Sequence, residues 1–146
     1  MTAPSPTTGR YVILWHQLPA VGRQSEAGRQ SESDLGGRGD HYDWMFETQG
    51  HLLTWASPRI SPPDQPLVVA AIALAPHRRA YLDYEGAISG GRGTVRRVEH
   101  GVYRRLTDAD DRLECILAGG RSGRLRIYRT ASSGSWVIAF EPSFRG

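Results

Sequence analysis

The chain contains no lysine and no asparagine, and all eighteen of its basic residues are arginine. Without a lysine amine it cannot form a lysine-linked nucleotide intermediate, nor build a P-loop of the kind that grips phosphate with a lysine. Cysteine is nearly absent. The single Cys115 alternates with Leu113 and Leu117 in a strand-like stretch, reads as a small buried residue, and permits no disulfide within the chain. No apolar run reaches the roughly 18–20 residues needed to cross a bilayer, and residues 1–10 lack the apolar centre of a signal peptide. A cytoplasmic protein with no membrane partner is therefore expected. Convincing helical periodicity is also scarce.

What is present fits one domain: 146 residues suffice to bury a real core. The formal charge of +3 and the sequence pI near 9.4 are compatible with a polyanionic partner. Arginine pairs at 78–79, 96–97 and 104–105 suit either phosphate contacts or a solvated sheet face. Residues 1–9 and the segment 19–40, rich in Gly, Ser, Gln, Glu and Arg, lack the apolar pattern of a core. We expect a disordered start over 1–9 and a single domain over 10–142 with a flexible insertion at 19–40. Short alternating segments recur at 11–16, 42–48, 51–57, 67–74, 94–99, 102–106, 112–117, 124–129 and 136–140. That spacing predicts an all-β fold, an antiparallel barrel or sandwich with long loops and little helix. Glycines at Gly50 and Gly101 are placed to make tight connections between neighbouring strands.

One constellation suggests a metal. His41 and Asp43 stand two residues apart, so on a strand both side chains face one way, about 6.6 Å apart along it. His16 ends another predicted strand and follows the alternation of Val12 and Leu14, opposite to Tyr11, Ile13 and Trp15. Two imidazoles and a carboxylate leave coordination positions for water or substrate, and their mixed nitrogen and oxygen character suits manganese, iron or zinc. The same spacing also fits a solvated pair or a hydrogen-bonded structural histidine.

Several co-linear motifs widen the pattern: YVILWH (11–16), HYDWMFE (41–47), LTWASP (53–58), PHRRAYLDYEGAI (76–88) and SGGRG (89–93). Further on stand GVY (101–103) and SGRLRIYR (122–129). Together they resemble, in order, the phosphoesterase domain of bacterial DNA ligase D, from residue 11 to residue 140. The resemblance implies a compact antiparallel β barrel that trims 3′ ends of DNA, or of DNA with terminal ribonucleotides, during end joining, with manganese or another divalent metal. It implies His16, His41 and Asp43 as metal ligands, His77 as the group that contacts phosphate or donates a proton, and Tyr81 as its neighbour. A separate ligase or polymerase would be the protein partner. The sequence departs from the family's pattern at Met45, where the family carries a phosphate-contacting arginine. It also departs in the insertion between His16 and His41, and at Ala75 and Pro76, where acidic residues are usual. On the residues alone, Glu47 serves either His41 or Arg59, or is a surface carboxylate. Gly90, Gly91 and Gly93 flank Arg92 in a run whose amides could approach phosphate, or which is simply a turn. Three functions remain open: a metal-dependent 3′-phosphoesterase, a non-catalytic module that binds nucleic-acid ends, and a non-haem iron oxygenase using His41, Asp43 and His100.

Overall fold

The computed structural model describes residues 8–19, 39–131 and 134–143. Nine strands dominate them: β1 (Thr8–Gln17), β2 (His41–Glu47), β3 (Leu52–Ser57), β4 (Leu67–His77), β5 (Gly86–Ala87), β6 (Thr94–Ala109), β7 (Arg112–Gly119), β8 (Gly123–Arg129) and β9 (Trp136–Pro142). Helix among the described residues is one 3-10 turn, Arg79–Leu82. Eight strands pair antiparallel in the order β1-β2-β3-β4-β9-β8-β7-β6, and β6 pairs back to β1, so the barrel is closed; the short β5 adds to β6 outside the ring. Of the antiparallel barrel or sandwich expected from the alternating segments, the chain forms the barrel, the fold the family resemblance implies. No described helix is long and apolar enough to cross a membrane.

Two boundaries differ from expectation. Thr8 and Gly9 already pair with Arg104 and Tyr103, so β1 starts inside the segment expected to be disordered, because its ladder to β6 extends that far. Residues 1–7 and 20–38, where the rest of that segment and most of the expected insertion fall, lie outside the described residues. The second correction concerns β6, expected as two strands joined by a turn at Gly101. It is one strand of 16 residues. Gly101 serves a close approach instead of a turn: a Cβ there would lie 2.5 Å from the Ala118 carbonyl oxygen and 2.9 Å from the Tyr11 ring.

Alternation gives the barrel an inside and an outside. Inward go Tyr11, Ile13, Trp44, Phe46, Trp55, Tyr103, Leu113, Cys115, Leu117, Leu125, Ile127, Trp136, Ile138 and Phe140, which form one buried cluster. The ring contacts of Phe46 with Tyr11, Trp55 and Tyr103 span 5.4 to 6.3 Å between centroids. Among these apolar groups sits Arg121, 1% exposed, whose Nε donates to Glu99 Oε2 at 2.7 Å and whose Nη2 donates to the Ser61 carbonyl at 2.8 Å. Its guanidinium lies over the rings of Phe140 and Trp44, 4.9 and 5.5 Å from their centroids. Tyr11 donates its hydroxyl to Glu99 and accepts from the Arg121 amide, and burial raises its pKa above the ordinary phenol value. A charge this deep is tolerated because its partners are present.

Outward on β1, β2 and β6 go Val12, Leu14, Met45 and Val95, which form a second, smaller buried cluster with Leu52 of β3. The cluster is roofed by the stretch between β4 and β6: Leu82 is the one fully buried residue of the 3-10 turn, and Tyr81 and Ile88 pack beside it. The candidate site lies at the margin of this roof, on the outer surface of the barrel.

Candidate metal centre

The β1–β2 register sets His16 directly opposite His41, and Asp43 opposite Leu14. At the base of the insertion, the Leu18 amide donates to Asp40 Oδ1 at 2.9 Å. His16, His41 and Asp43 therefore converge on the outer face, each offering a donor atom within 4.8 Å of the others. His41 and Asp43 are buried, and His16 is partly so. His100 is not in this group, so the iron-oxygenase arrangement through His41, Asp43 and His100 is not assembled. The signal for it was only the recurrence of a third histidine, and β6 carries that residue away on an exposed position.

The outer nitrogens of both imidazoles fix their protonation. His41 Nδ1 lies 2.9 Å from the Gly39 carbonyl oxygen, and His16 Nε2 lies 2.9 Å from that of Arg92. A carbonyl can only accept, so these nitrogens carry the protons and the inner nitrogens of neutral rings present lone pairs. Those inner nitrogens face the Asp43 carboxylate: His41 Nε2 stands 3.1 Å from Oδ1, and His16 Nδ1 3.4 Å from Oδ2. Three acceptors pointed at one another require a positive charge among them, either a proton or a cation. Asp43 Oδ1 is buried and accepts no hydrogen bond, an orphan oxygen that fits a cation better than a shared proton. Burial pushes the Asp43 pKa up, but positive charge shared with His16 and then His41 outweighs it and holds the carboxyl below its ordinary value. The donor set and its backbone-held imidazoles thus fit a divalent metal.

A cavity of about 290 Å³ opens beside Asp43, and His16, Met45, His77, Arg78, Tyr81 and Arg92 line it. His77 and Tyr81, expected as neighbours, are edge to face at 5.7 Å. His77 Nδ1 lies 2.9 Å from the Ala75 carbonyl oxygen and so donates to it, leaving Nε2 as the nitrogen without that bond. Met45 is 1% exposed and supplies part of the apolar wall. The cationic wall comes from Arg78, one of the pair for which the sequence suits either phosphate contacts or a solvated face, and from Arg92, which stands out in sequence only for the glycine backbone around it. Arg92 also donates Nε to the Ser89 carbonyl at 2.9 Å. The glycines flanking it were the available signal. Gly93 has φ +99°, and a Cβ there would lie 2.0 Å from the Gln17 carbonyl oxygen, so only glycine lets this loop press on the end of β1 and bring the Arg92 carbonyl to His16.

Glu47 reaches neither His41 nor Arg59. It binds the roof: its carboxylate accepts from the Arg10 amide at 2.9 Å and pairs with Arg79. Arg10 in turn meets Asp83 at 2.7 Å, and Arg97 donates from Nη1 to the Leu82 carbonyl and from its amide to Glu85. Half of each arginine pair at 78–79 and 96–97 thus holds the roof down.

The barrel and its site define an all-β fold that carries three donor groups able to hold a cation, beside a cavity walled by histidine and arginine. The chain belongs to the family of the DNA ligase D 3′-phosphoesterase domain, whose family model matches residues 36–139. It is 36% identical over 101 residues to the multifunctional non-homologous end joining protein LigD of Mycobacterium bovis, and to the same degree to the end joining DNA repair protein LigD of Mycobacterium tuberculosis. Each alignment covers 64% of this chain and 13% of the relative, so the chain spans about an eighth of their length. His16 precedes the matched residues, and its place beside His41 and Asp43 rests on strand register.

Proposed function

We propose that this chain is a cytoplasmic, metal-dependent phosphoesterase acting on 3′ ends of DNA, including ends with terminal ribonucleotides, in repair by end joining. The observation that carries the reading is the convergence of two proton-locked imidazoles on a buried carboxylate oxygen without a hydrogen bond. His16, His41 and Asp43 would hold the metal, with manganese the expected ion. Such an ion would supply Lewis-acid polarisation of the phosphate and activation of water.

The chain's own residues divide the remaining work. Arg78 and Arg92 bind the phosphate by charge-assisted hydrogen bonds, the task that Met45 cannot perform. His77, oriented by its bond to Ala75, offers Nε2 to a phosphate oxygen and, when protonated there, gives that proton to the departing 3′ oxygen. Tyr81 holds the His77 ring by edge-to-face contact. Met45 and Ile88 make the apolar side of the pocket.

Met45 also supports a second reading, a module that binds nucleic-acid ends without turnover. Incubating the purified protein with manganese and primer-templates ending in 3′-phosphate or a 3′-ribonucleotide separates the two. Dephosphorylated or shortened products, abolished by Asp43→Ala, are expected. Salt-sensitive binding with no product would overturn catalysis and leave the binding module. A separate ligase or polymerase as partner belongs to this same proposal, as does the assignment of the relatives' end-joining role to this chain.

A further inference from the structure

Beside the metal pocket lies a second cavity of about 220 Å³, walled by Arg78, Tyr81, Tyr84, Ile88 and Ser89. The two cavities share Arg78, Tyr81 and Ile88, so they adjoin across a cation and an aromatic ring. Three rings run from one to the other. His77 is edge to face with Tyr81 at 5.7 Å, and Tyr81 is edge to face with Tyr84 at 5.8 Å, the last pair at 89°. Tyr84 is 40% exposed, and its hydroxyl donates to the Ala87 carbonyl, which ties the ring to β5. The nearby carboxylates are engaged elsewhere, Asp83 with Arg10 and Glu85 with the Arg97 amide. They leave the compartment with a guanidinium and fixed π faces.

We infer that this second cavity is a nucleoside subsite: it takes the base and sugar that carry the reacting phosphate, with the base stacked on Tyr84 and Arg78 bridging to the phosphate in the metal pocket. This rests on the reading of the metal pocket as a phosphoesterase site. An exposed aromatic ring beside an arginine is the arrangement that binds unpaired bases without regard to their identity, since every base has a π face. At about 220 Å³ the compartment is on the scale of a single nucleoside. A terminal residue would therefore be gripped at both its phosphate and its base.

The test is calorimetric titration of the manganese-loaded protein with adenosine 3′-monophosphate and, separately, with inorganic phosphate. Wild-type protein should bind the nucleotide roughly tenfold or more tightly than phosphate, the scale of base–aromatic stacking. Tyr84→Leu should erase that advantage while leaving the phosphate Kd unchanged, and Tyr84→Phe, which keeps the ring and loses only the bond to Ala87, should retain it. Thermal melts of both variants identify any that fail to fold, and Tyr84→Phe against wild type remains informative if Tyr84→Leu does. Equal binding of nucleotide and phosphate by the wild type, or a Tyr84→Leu protein that keeps the advantage, would overturn the subsite. If such a protein still cleaves 3′-phosphate ends, the phosphoesterase reading stands. Binding of neither probe, with no cleavage, would remove both.

Discussion

The two faces of β1 and β2 are covered by different means. The inner face is sealed by large aromatic and branched side chains, together with a charge network that leaves Arg121 and Glu99 paired. The outer face is sealed by a short roof that contributes one fully buried side chain, Leu82, and is fastened at its rim by Arg10–Asp83 and Arg79–Glu47, pairs that are largely exposed. Exposed ion pairs contribute little, so the roof depends on a small apolar contact. Closely packed interiors store stability, whereas thinly covered segments open locally at lower cost. The difference bears on the proposed site, which lies at the margin of the thinly covered face.

The largest expected effect tests the inner face. Arg121→Ala strands Glu99 in the barrel and should cost about 3–5 kcal/mol of stability, read by urea or thermal unfolding. A loss below about 1 kcal/mol would mean that Glu99 is not held in a dry interior and would weaken the contrast between the faces. Next comes the metal. Manganese at about 100 times its Kd should stabilise the wild type by about 2.7 kcal/mol, and His41→Ala or Asp43→Ala should lose most of that gain. Equal gains in all three would remove these residues from the site.

A smaller effect is expected at the roof. Leu82→Ala should cost about 2 kcal/mol, the low end for such truncations, and the loss should be local. Hydrogen exchange distinguishes this outcome: the Asp83 amide, bonded to the Ala80 carbonyl, should lose protection while the β7–β8 amides keep theirs. Uniform loss across the barrel would show that the roof and the barrel unfold together. An effect absent at neutral pH concerns Cys115, whose thiol burial pushes up to about 12 from an ordinary value of 9.0. The folded chain keeps this proton while the unfolded chain releases it, so the contribution is whole below pH 9 and declines as pH rises toward 12. The decline approaches about 1.4 kcal/mol per pH unit, and Cys115→Ala should lack it in pH-dependent melts. At neutral pH a thiol reagent should label Cys115 only after unfolding.

Alternation made the strands and their faces legible, because a period of two needs only the neighbouring residues. It placed His16 with Val12 and Leu14, and Asp43 with Met45, on the face where the structure has them. What it missed depends on distant chain. Gly101 resembled a turn because its reason is the Tyr11 ring, ninety residues earlier in the sequence. Arg92 owes its place to Gly93 pressed on Gln17, and Glu47 finds its partners in Arg10 and Arg79, which no local pattern links to it. Pockets formed by a roof folded over a sheet have no periodicity to read.

The seam between β1 and β6 carries a consequence for how the molecule comes into being. His16 lies on that seam, opposite both His41 and Val95, and its outer nitrogen is held by Arg92. Pairing of β1 with β2 alone could gather the three donors, but the Arg92 carbonyl that holds the outer nitrogen of His16 arrives only with the chain leading into β6. Pairing across so much sequence is slow to form, and its loop entropy is spent before the contacts repay it. During refolding, tight metal capture should therefore lag behind hairpin formation and coincide with ring closure, making the ion a clock for the last step of assembly.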